Sequence, residues 1–582
     1  MSSAVSTPSI IETLLLVLSP LMPLILVVAL LRRSARELVV RLAPWAALPA
    51  LIAAGKTSGA LLDMPWLLLG ARLGGDEISR VFLFFTAVLW LISGIYARAY
   101  LAEDDRRARF FAFYLLAMSG NLGLIVAQDV ATFYMFFALM SLSSYGLIVH
   151  KRDPQSLRAG RVYIYLFVLG EVLLFAGLLL GAWHAGTLDL NRFHDNAQGD
   201  VVIALLFFGF GIKAGALPLH VWLPLAHTAA PTPASAVLSG AMINAGLLGW
   251  LRFLPLGFAA LPEWSLLCIV AGLGAAIYGV LIGLFQDQPK TVLAYSSISQ
   301  MGLMTFGVGL GLADPVLWPV CLSAVLIYAL HHALAKGALF LGVGIAVGSG
   351  AIRRRWVVAG LLLPAAALAG LPFTSGAAAK LGLKSLAHVL PAPWPEWMAI
   401  LLSVIAAGTT LLMIRVVYLA WPRATVLSRL PAGLWLPWTV LLVIVASCAW
   451  VWPVASGAAL QTLSATGIWQ ALWPAGVAGI ISRVAWTLSR KADLKPAIRI
   501  PAGDIVVAGE WFEAKLGLLW NHAVDRIRRR PGKIELALRW LPAGAGISDR
   551  VWALEQWLGR WHIVGTIFVL MIVLFTIIMA LA

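Results

Sequence analysis

Charged residues and cysteine are both scarce in this chain of 582 residues. Asp, Glu, Lys and Arg together make up 12% of it, and hydrophobic residues make up 61%. Soluble domains average about 45–50% apolar residues, so an ordinary soluble protein is excluded. The three cysteines, Cys268, Cys321 and Cys448, lie in apolar segments without a CxxC motif or a Cys/His cluster. Structural disulfides, zinc sites and iron–sulfur clusters are therefore not expected, and the cysteines are interpreted as small buried hydrophobes.

Nucleotide-binding motifs are absent as well. No GxGxxG opens a helix after a strand, and there is no Walker loop. Any redox or nucleotide chemistry must therefore belong to partner proteins, and no cofactor or metal is expected in this chain. The formal net charge of +16 does not indicate nucleic-acid binding, because the basic residues lie in short loops between apolar segments. That distribution is typical of membrane topology.

Apolar runs of about 20 residues, the length that spans a bilayer, recur along the whole chain. A β-barrel would instead show period-two alternation. The sequence therefore predicts an all-α polytopic membrane protein, in which the first run is a retained helix because no basic segment precedes it. We predict sixteen spans, at 10–31, 39–54, 78–100, 109–127, 129–150, 161–183, 201–219, 232–255, 263–286, 291–312, 315–347, 355–388, 396–420, 432–454, 467–489 and 561–582.

Loop charge predicts the orientation of these spans. Loops after odd-numbered spans are basic, as in "EDDRRAR" and "KRDPQSLRAGR", whereas loops after even-numbered spans, such as "ALPEW", are poor in Lys and Arg. The positive-inside rule then places the basic loops in the cytoplasm and both termini outside.

Two spans contain helix breakers with a lysine nearby. Span 7 carries Pro218 and Pro224 close to Lys213, and span 12 carries Pro372 close to Lys380. Interrupted helices at matching positions indicate inverted repeats in transporters. Because spans 7 and 12 are five apart, residues 109–255 (spans 4–8) and 263–420 (spans 9–13) are predicted to be two inverted five-helix repeats. The alternative is a pair of ordinary proline kinks.

Ionisable residues deep in membrane spans are costly and usually functional. The candidates well inside the predicted spans are Glu171, Lys213, His332, Lys336 and Lys380. Further candidates are His331, which points about 100° away from His332 on the same helix, and His220 and His227, which flank the span 7 break. Lysine suits proton relay because burial and a nearby carboxylate act on its proton affinity in opposite directions. The alternatives are snorkelling for the lysines, and a satisfied core position or a hydrogen bond to exposed backbone for the histidines.

At this point the sequence resembles the antiporter-like membrane subunits of respiratory complex I, of multisubunit cation/proton antiporters and of membrane-bound hydrogenases such as formate hydrogenlyase. The resemblance rests on five stretches in series: "AQDVATFYMFFALMSLSSYGLI", "GIKAGALPLHVWLPLAHTAAPTPASAVLSG", "DQPKTVLAYSSISQMG", "HHALAKGALFLGVG" and "LAGLPFTSGAAAK". It implies proton translocation in a bacterial or archaeal-type cytoplasmic membrane. In it, Lys213 matches the lysine of span 7, His332 and Lys336 the pair of span 11, and Lys380 the lysine of span 12.

The chain departs from this family at three polar positions. The glutamate that usually pairs with the span 7 lysine is replaced by Ala138, a span 8 lysine of some members by Asn244, and a histidine of some members by Gln300. Glu171, one helix later, is the only acid found deep in a span and is interpreted as the replacement carboxylate. The rival interpretation is a first repeat that conducts protons poorly.

The remaining segments are assigned from their position and amphipathic pattern. Residues 1–108 hold spans 1–3, residues 432–489 hold spans 14 and 15, and residues 561–582 form a C-terminal anchor. Residues 490–560 alternate apolar and charged positions, which predicts a lateral amphipathic arm. Such an arm either clamps neighbouring membrane subunits or lies on the bilayer surface without a partner.

Three function classes stay open at this point. The leading hypothesis is a transport subunit that conducts protons, or exchanges them for Na⁺, inside a larger complex driven by redox chemistry or an ion gradient. The second is a subunit that couples proton flow to inorganic-carbon uptake, and the third is a scaffold that has lost conduction. The sequence leaves open whether the whole complex is an enzyme of the quinone-reductase or hydrogenase type.

Overall fold

The computed structural model describes residues 8–57, 59–194, 196, 198–348, 354–390, 393–421, 431–451, 457, 459–492, 500–507 and 515. The chain forms two compact units, residues 1–502 and 503–582. The second unit lies almost wholly outside the described residues. The C-terminal anchor and nearly all of the predicted lateral arm therefore also lie outside them.

The described part contains nineteen α-helices and one β-hairpin, together with short 3₁₀ and π-helical turns. The N-terminal elements are α1 (Ile10–Leu30), α2 (Arg36–Leu42), α3 (Leu48–Lys56), β1 (Leu61–Met64), β2 (Ala71–Gly74), α4 (Glu77–Tyr100), α5 (Arg107–Val126), α6 (Val130–Ile148) and α7 (Pro154–Ala185). The central elements are α8 (Asp200–Ala214), α9 (Trp222–Ala229), α10 (Thr232–Val237), α11 (Asn244–Phe253), α12 (Pro262–Leu284), α13 (Pro289–Ala313) and α14 (Trp318–Gly348). The last elements are α15 (Arg354–Ala369), α16 (Ser375–Leu386), α17 (Trp394–Leu419), α18 (Ala432–Val451) and α19 (Ala465–Ala492).

Thirteen helical segments of the described chain are long and apolar enough to cross a membrane, so the prediction of an all-α polytopic membrane protein is confirmed. The predicted spans 10 and 12 are helical but do not belong to this set. Span 10 is α13, which carries the polar stretch "YSSISQ", and span 12 is divided into α15 and α16, each shorter than a bilayer. The sixteenth predicted span lies outside the described residues.

Local sequence explains where several helices begin. Asp129, Asp153 and Thr374 precede α6, α7 and α16, and each side chain accepts a hydrogen bond from a backbone N–H of the first turn. Proline occupies the first turn of α12 and α13, where its missing N–H has no intrahelical partner to lose.

Two features of the N-terminal region differ from the prediction. Span 2, predicted as one helix over 39–54, consists of α2, a 3₁₀ stretch at 43–47 and α3. Pro44 and Pro49 explain the interruption, because proline lacks the N–H that a continuous helix needs. The hairpin of β1 and β2 was also not predicted: its strands are four residues long and pair antiparallel, with Leu61 opposite Gly74.

The core lies around α10, α11, α13 and α14. Every residue of the segment Thr232–Phe253 except Arg252 is buried, and the segment contains a π-helical turn at Leu238–Met242 between α10 and α11. Such turns are frequent at functional sites. Ser239 in this turn is 2.8 Å from the hydroxyl of Ser297 on α13.

An ion pair ties the start of α4 to the end of α11. Both terminal guanidinium nitrogens of Arg252, Nη1 and Nη2, donate to the carboxylate of Asp76, and Nη2 also donates to the hydroxyl of Ser79 at 2.9 Å. Burial raises the pKa of Asp76, but the charge and hydrogen bonds of Arg252 and the N–H of Ser79 lower it more, so the pKa lies below its ordinary value. The pair joins residues 176 positions apart in sequence.

Candidate functional site

The interruption of span 7 places Lys213 at the end of a helix inside the protein. α8 ends at Ala214 because Gly215 adopts the left-handed conformation, with φ of 71°. Lys213 is 5% exposed, and its Nζ donates to the hydroxyl of Tyr163 on α7 at 3.3 Å. The ammonium also lies 5.6 Å from the ring centroid of Tyr163 and 5.8 Å from that of Trp222, distances at which an aromatic face stabilises a cation.

Glu171 lies on α7 and faces the same small cavity as Lys213. Glu171 is 5% exposed, and its carboxylate interacts electrostatically with Lys213 and with the hydroxyl of Tyr134. The cavity has a volume of about 20 Å³, and Ser141 of α6 also lines it. This is room for about one water molecule, so a solvent bridge between the two groups fits.

Ala138 is buried one helix away from Glu171. It is the residue that, by the resemblance described above, replaces the usual glutamate. It is 1% exposed on α6. Phe137 and Ser141 of the same helix line the cavity that holds Glu171 and Lys213. Glu171 on α7 and the helix that carries Ala138 therefore line the same cavity.

Three candidates lie together on α14 in the second half. Lys336 is fully buried, and its Nζ donates to the carbonyl of Leu293 on α13 at 2.7 Å. His331 Nδ1 is 2.8 Å from the hydroxyl of Ser375 at the start of α16. His332 is fully buried, neither of its ring nitrogens has a hydrogen-bond partner among the described residues, and it interacts electrostatically with Lys336.

The interruption of span 12 gives Lys380 its acceptor. α15 ends at Ala369, Gly370 has φ of 81°, and Lys380 Nζ donates to the carbonyl of Ala369 at 2.9 Å. The last carbonyls of a helix lack intrahelical donors, so the break itself creates this acceptor. Gly376 is required beside it, because a Cβ at that position would be 1.7 Å from the carbonyl oxygen of Ala367.

The two histidines near the span 7 break have different surroundings. His220 lies in the 3₁₀ turn between α8 and α9, with its ring 5.0 Å from that of Tyr278. His227 on α9 is fully buried, stacks on Phe340 at 4.7 Å, and interacts electrostatically with Lys290 and Lys336. His227 is therefore near the Lys336 group.

Sequence reasoning missed several polar residues around these groups. Lys290, one position before the predicted span 10, lies in the first turn of α13 and donates to the carbonyl of Ala230 at 2.8 Å. Its place in the motif "DQPK" was the signal that could have found it. Tyr328 on α14 donates to Gln300 on α13 at 2.6 Å, and Gln300 donates to Thr409 on α17 at 3.3 Å. These two hydrogen bonds link the three helices.

The structure thus gathers seven of the eight candidates into two groups, whereas the ring of His220 lies against that of Tyr278. Glu171 and Lys213 form the first, with α6, α7 and α8. His227, His331, His332, Lys336 and Lys380 form the second, with α9, α14 and α16. Within the described ranges, no cluster of three His, Cys, Asp or Glu side chains could hold a metal ion.

The sequence matches known membrane proteins over its middle part. The family described as "NADH:quinone oxidoreductase/Mrp antiporter, TM" matches residues 127–411. Hydrogenase-4 component B of Escherichia coli is 33% identical over 348 residues, which are 56% of this chain and 52% of that protein. A putative antiporter subunit mnhA2 of Staphylococcus saprophyticus is 34% identical over 54% of this chain and 43% of its own length. NADH-quinone oxidoreductase subunit N of Polaromonas naphthalenivorans is 29% identical over 58% of this chain and 74% of its own length. The chain spans about half the length of the first two relatives.

Two solved structures share the fold. A chain of the Mrp complex from Dietzia sp. superposes with a TM-score of 0.67 and 21% identity, covering 79% of this chain and 99% of that one. A chain of the membrane-bound sulfane sulfur reductase, described as an archaeal respiratory membrane complex, superposes with a TM-score of 0.63 at the same identity and coverage.

Proposed function

We propose that this chain, which through residues 127–411 belongs to the NADH:quinone oxidoreductase/Mrp antiporter membrane family, is a proton-translocating subunit of a larger energy-coupling complex. The relatives are named as components of a hydrogenase, an antiporter and a quinone oxidoreductase, and both superposed chains come from multisubunit complexes. Partner membrane subunits follow from these relationships.

The observation that carries the proposal is a set of three lysines inside the protein, two buried and one half-buried, each with a single neutral acceptor. Lys213, Lys336 and Lys380 donate to a tyrosine hydroxyl and to two backbone carbonyls. None of the three forms an ion pair with a carboxylate within 4.0 Å among the described residues. A lysine that is held only by neutral acceptors can take up or release a proton without the breaking of an ion pair, which suits a relay.

In this proposal Glu171 replaces the carboxylate that the family usually has at the position of Ala138, and it acts as the acidic partner of Lys213. It borders the cavity of Lys213, and its negative charge favours the ammonium form of that lysine. Loss of a proton from the cavity, or a movement of α7 relative to α8, changes that interaction. In this proposal the proton path continues from Lys213 to Lys336 and Lys380 through three histidines, His227, His331 and His332.

Finer points of the architecture form part of the same proposal. Residues 109–255 and 263–420 are two inverted repeats, whose broken members are α8–α9 and α15–α16. Sixteen spans with both termini outside fit the distribution of basic loops. The C-terminal arm at 490–560 contacts the partner subunits, and Na⁺ is the alternative coupling ion.

The test is proton movement by vesicles that contain the purified native complex. Lys213→Ala and Lys380→Ala should abolish coupled proton uptake while the complex still assembles, whereas Lys56→Ala, at an exposed position on α3, should leave it unchanged. Wild-type uptake in both lysine variants would favour a structural scaffold. Uptake that depends on added bicarbonate would favour the inorganic-carbon alternative.

A further inference from the structure

A second cavity lies beside α16, where α17 and α19 pack against each other. Its volume is about 60 Å³, which is space for roughly four water-sized molecules. Its walls are mostly apolar, and its polar lining consists of Tyr328, Lys380, Lys384, Ser403, Thr462 and Gln470.

The described residues of this lining include two lysines and neither Asp nor Glu. Lys380 and Lys384 are four residues apart on α16, so their side chains leave the same face of the helix. None of the described residues that line the cavity is Asp or Glu, and neither lysine forms an ion pair in the described part of the chain. Two positive charges four residues apart destabilise a helix. A negative group between them would offset this repulsion.

Hydrogen-bond donors remain available in the cavity. Lys380 Nζ donates to Ala369 and Lys384 Nζ donates to the hydroxyl of Ser403 at 3.3 Å. An ammonium has three donors, so each lysine has donors beyond this bond. The side-chain amide of Gln470 on α19 adds a neutral donor.

We propose that this cavity binds a small monovalent anion, the size of chloride, between Lys380 and Lys384. The anion supplies the missing negative charge, and the volume and the apolar walls exclude large solutes. The proposal goes beyond proton translocation, since Lys384 has no place in the proton path and anion binding is measurable without proton flow. It assigns a role to a lysine that sequence reasoning left out.

The test is chloride binding to the purified full chain in a non-ionic detergent. Sodium chloride replaces sodium gluconate at constant ionic strength, and the broadening of the chloride-35 NMR line reports binding. Gluconate serves as the comparison anion because it is too large for the cavity. Saturable broadening that bromide displaces is expected in the wild-type chain.

Variants of the second lysine separate a specific site from general screening. Lys384→Gln should weaken chloride binding about tenfold or more, since loss of one hydrogen bond to a charged group has an effect of this size. Lys384→Arg keeps the charge and should bind within a few-fold of wild type. Lys56→Gln, at an exposed position on α3, is the matched control and should bind as wild type. Gln470→Leu, at an exposed position of α19, provides a second variant that removes one donor without touching α16.

Three outcomes would overturn the proposal. The first is the absence of saturable broadening, and the second is equal affinity in the wild type, Lys384→Gln and Gln470→Leu. The third is complete loss of chloride binding when phosphatidylglycerol is added, which would identify a lipid headgroup as the occupant. Proton uptake is not part of the readout, so failure here leaves the proposed function standing.

Discussion

Replacing Glu171 by glutamine tests whether this carboxylate serves Lys213. Glutamine has almost the same shape and retains a polar group in the cavity, so packing of α7 against α8 should be kept. The amide cannot supply the negative charge that favours the ammonium form of Lys213. We therefore expect Glu171→Gln to impair proton uptake about as severely as Lys213→Ala.

The size of the effect follows from the cavity that separates the two groups. Glu171 and Lys213 do not form an ion pair within 4.0 Å. Coulomb's law gives about 4 kcal/mol for two unit charges at about 4 Å and an effective dielectric constant of about 20, and about 2 kcal/mol at roughly twice that separation. The smaller energy corresponds to roughly a thirtyfold change in the ratio of ammonium to amine. Both groups are only 5% exposed, so solvent screens this interaction little, and uptake should fall at least about tenfold.

The assay is proton uptake by vesicles with equal amounts of each variant complex. Glu263→Gln, at an exposed position at the start of α12, is the matched control and should transport normally. The double variant Ala138→Glu with Glu171→Gln should recover part of the activity, because α6 borders the same cavity. Normal uptake by Glu171→Gln would refute the reasoning and leave the first half with another acid or with no proton path.

The remaining predictions concern structure and assembly. Gly376→Ala should destabilise the break of span 12 by about 1–3 kcal/mol or more, measured as a lower unfolding temperature in detergent, while Gly382→Ala on the same helix meets only ordinary contacts and should leave that temperature unchanged. Asp76→Asn should lower the free energy of unfolding at pH 7 by about 1–2 kcal/mol, less than for a fully buried pair because the Asp76 side chain is 41% exposed. Because the pKa of Asp76 is lowered in the folded chain, its contribution is present above about pH 4 and is lost as the pH falls through the lowered value; a variant that loses equal stability at pH 7 and pH 3 would contradict the role of Arg252. Deleting residues 505–582 should release partner subunits on native gels, and recovery of a complete complex would show that this segment clamps nothing.

The hydrophobic pattern of the sequence determined most of the membrane architecture. Span length is set by bilayer thickness, so apolar runs alone located most of the long helices, although the short helix α9 was not predicted and α7 begins seven residues before its predicted span. Proline and glycine act through their own backbone geometry, which is why the breaks after Ala214 and Ala369 were predictable. The intramembrane lysines were also predictable from the sequence alone, because a charged residue within an apolar run can be recognised without knowledge of the fold.

Only the tertiary structure decided which of these groups meet. Lys213 contacts Tyr163, fifty residues earlier, and Arg252 pairs with Asp76 across 176 residues. Such contacts depend on the rotation of each helix about its axis and on how neighbouring helices pack, and neither is encoded in local composition. The hairpin of β1 and β2 was missed because four-residue strands carry too little periodicity to detect. The cavity that joins Lys380 to Lys384 and Ser403 likewise exists only because α16, α17 and α19 come together in space.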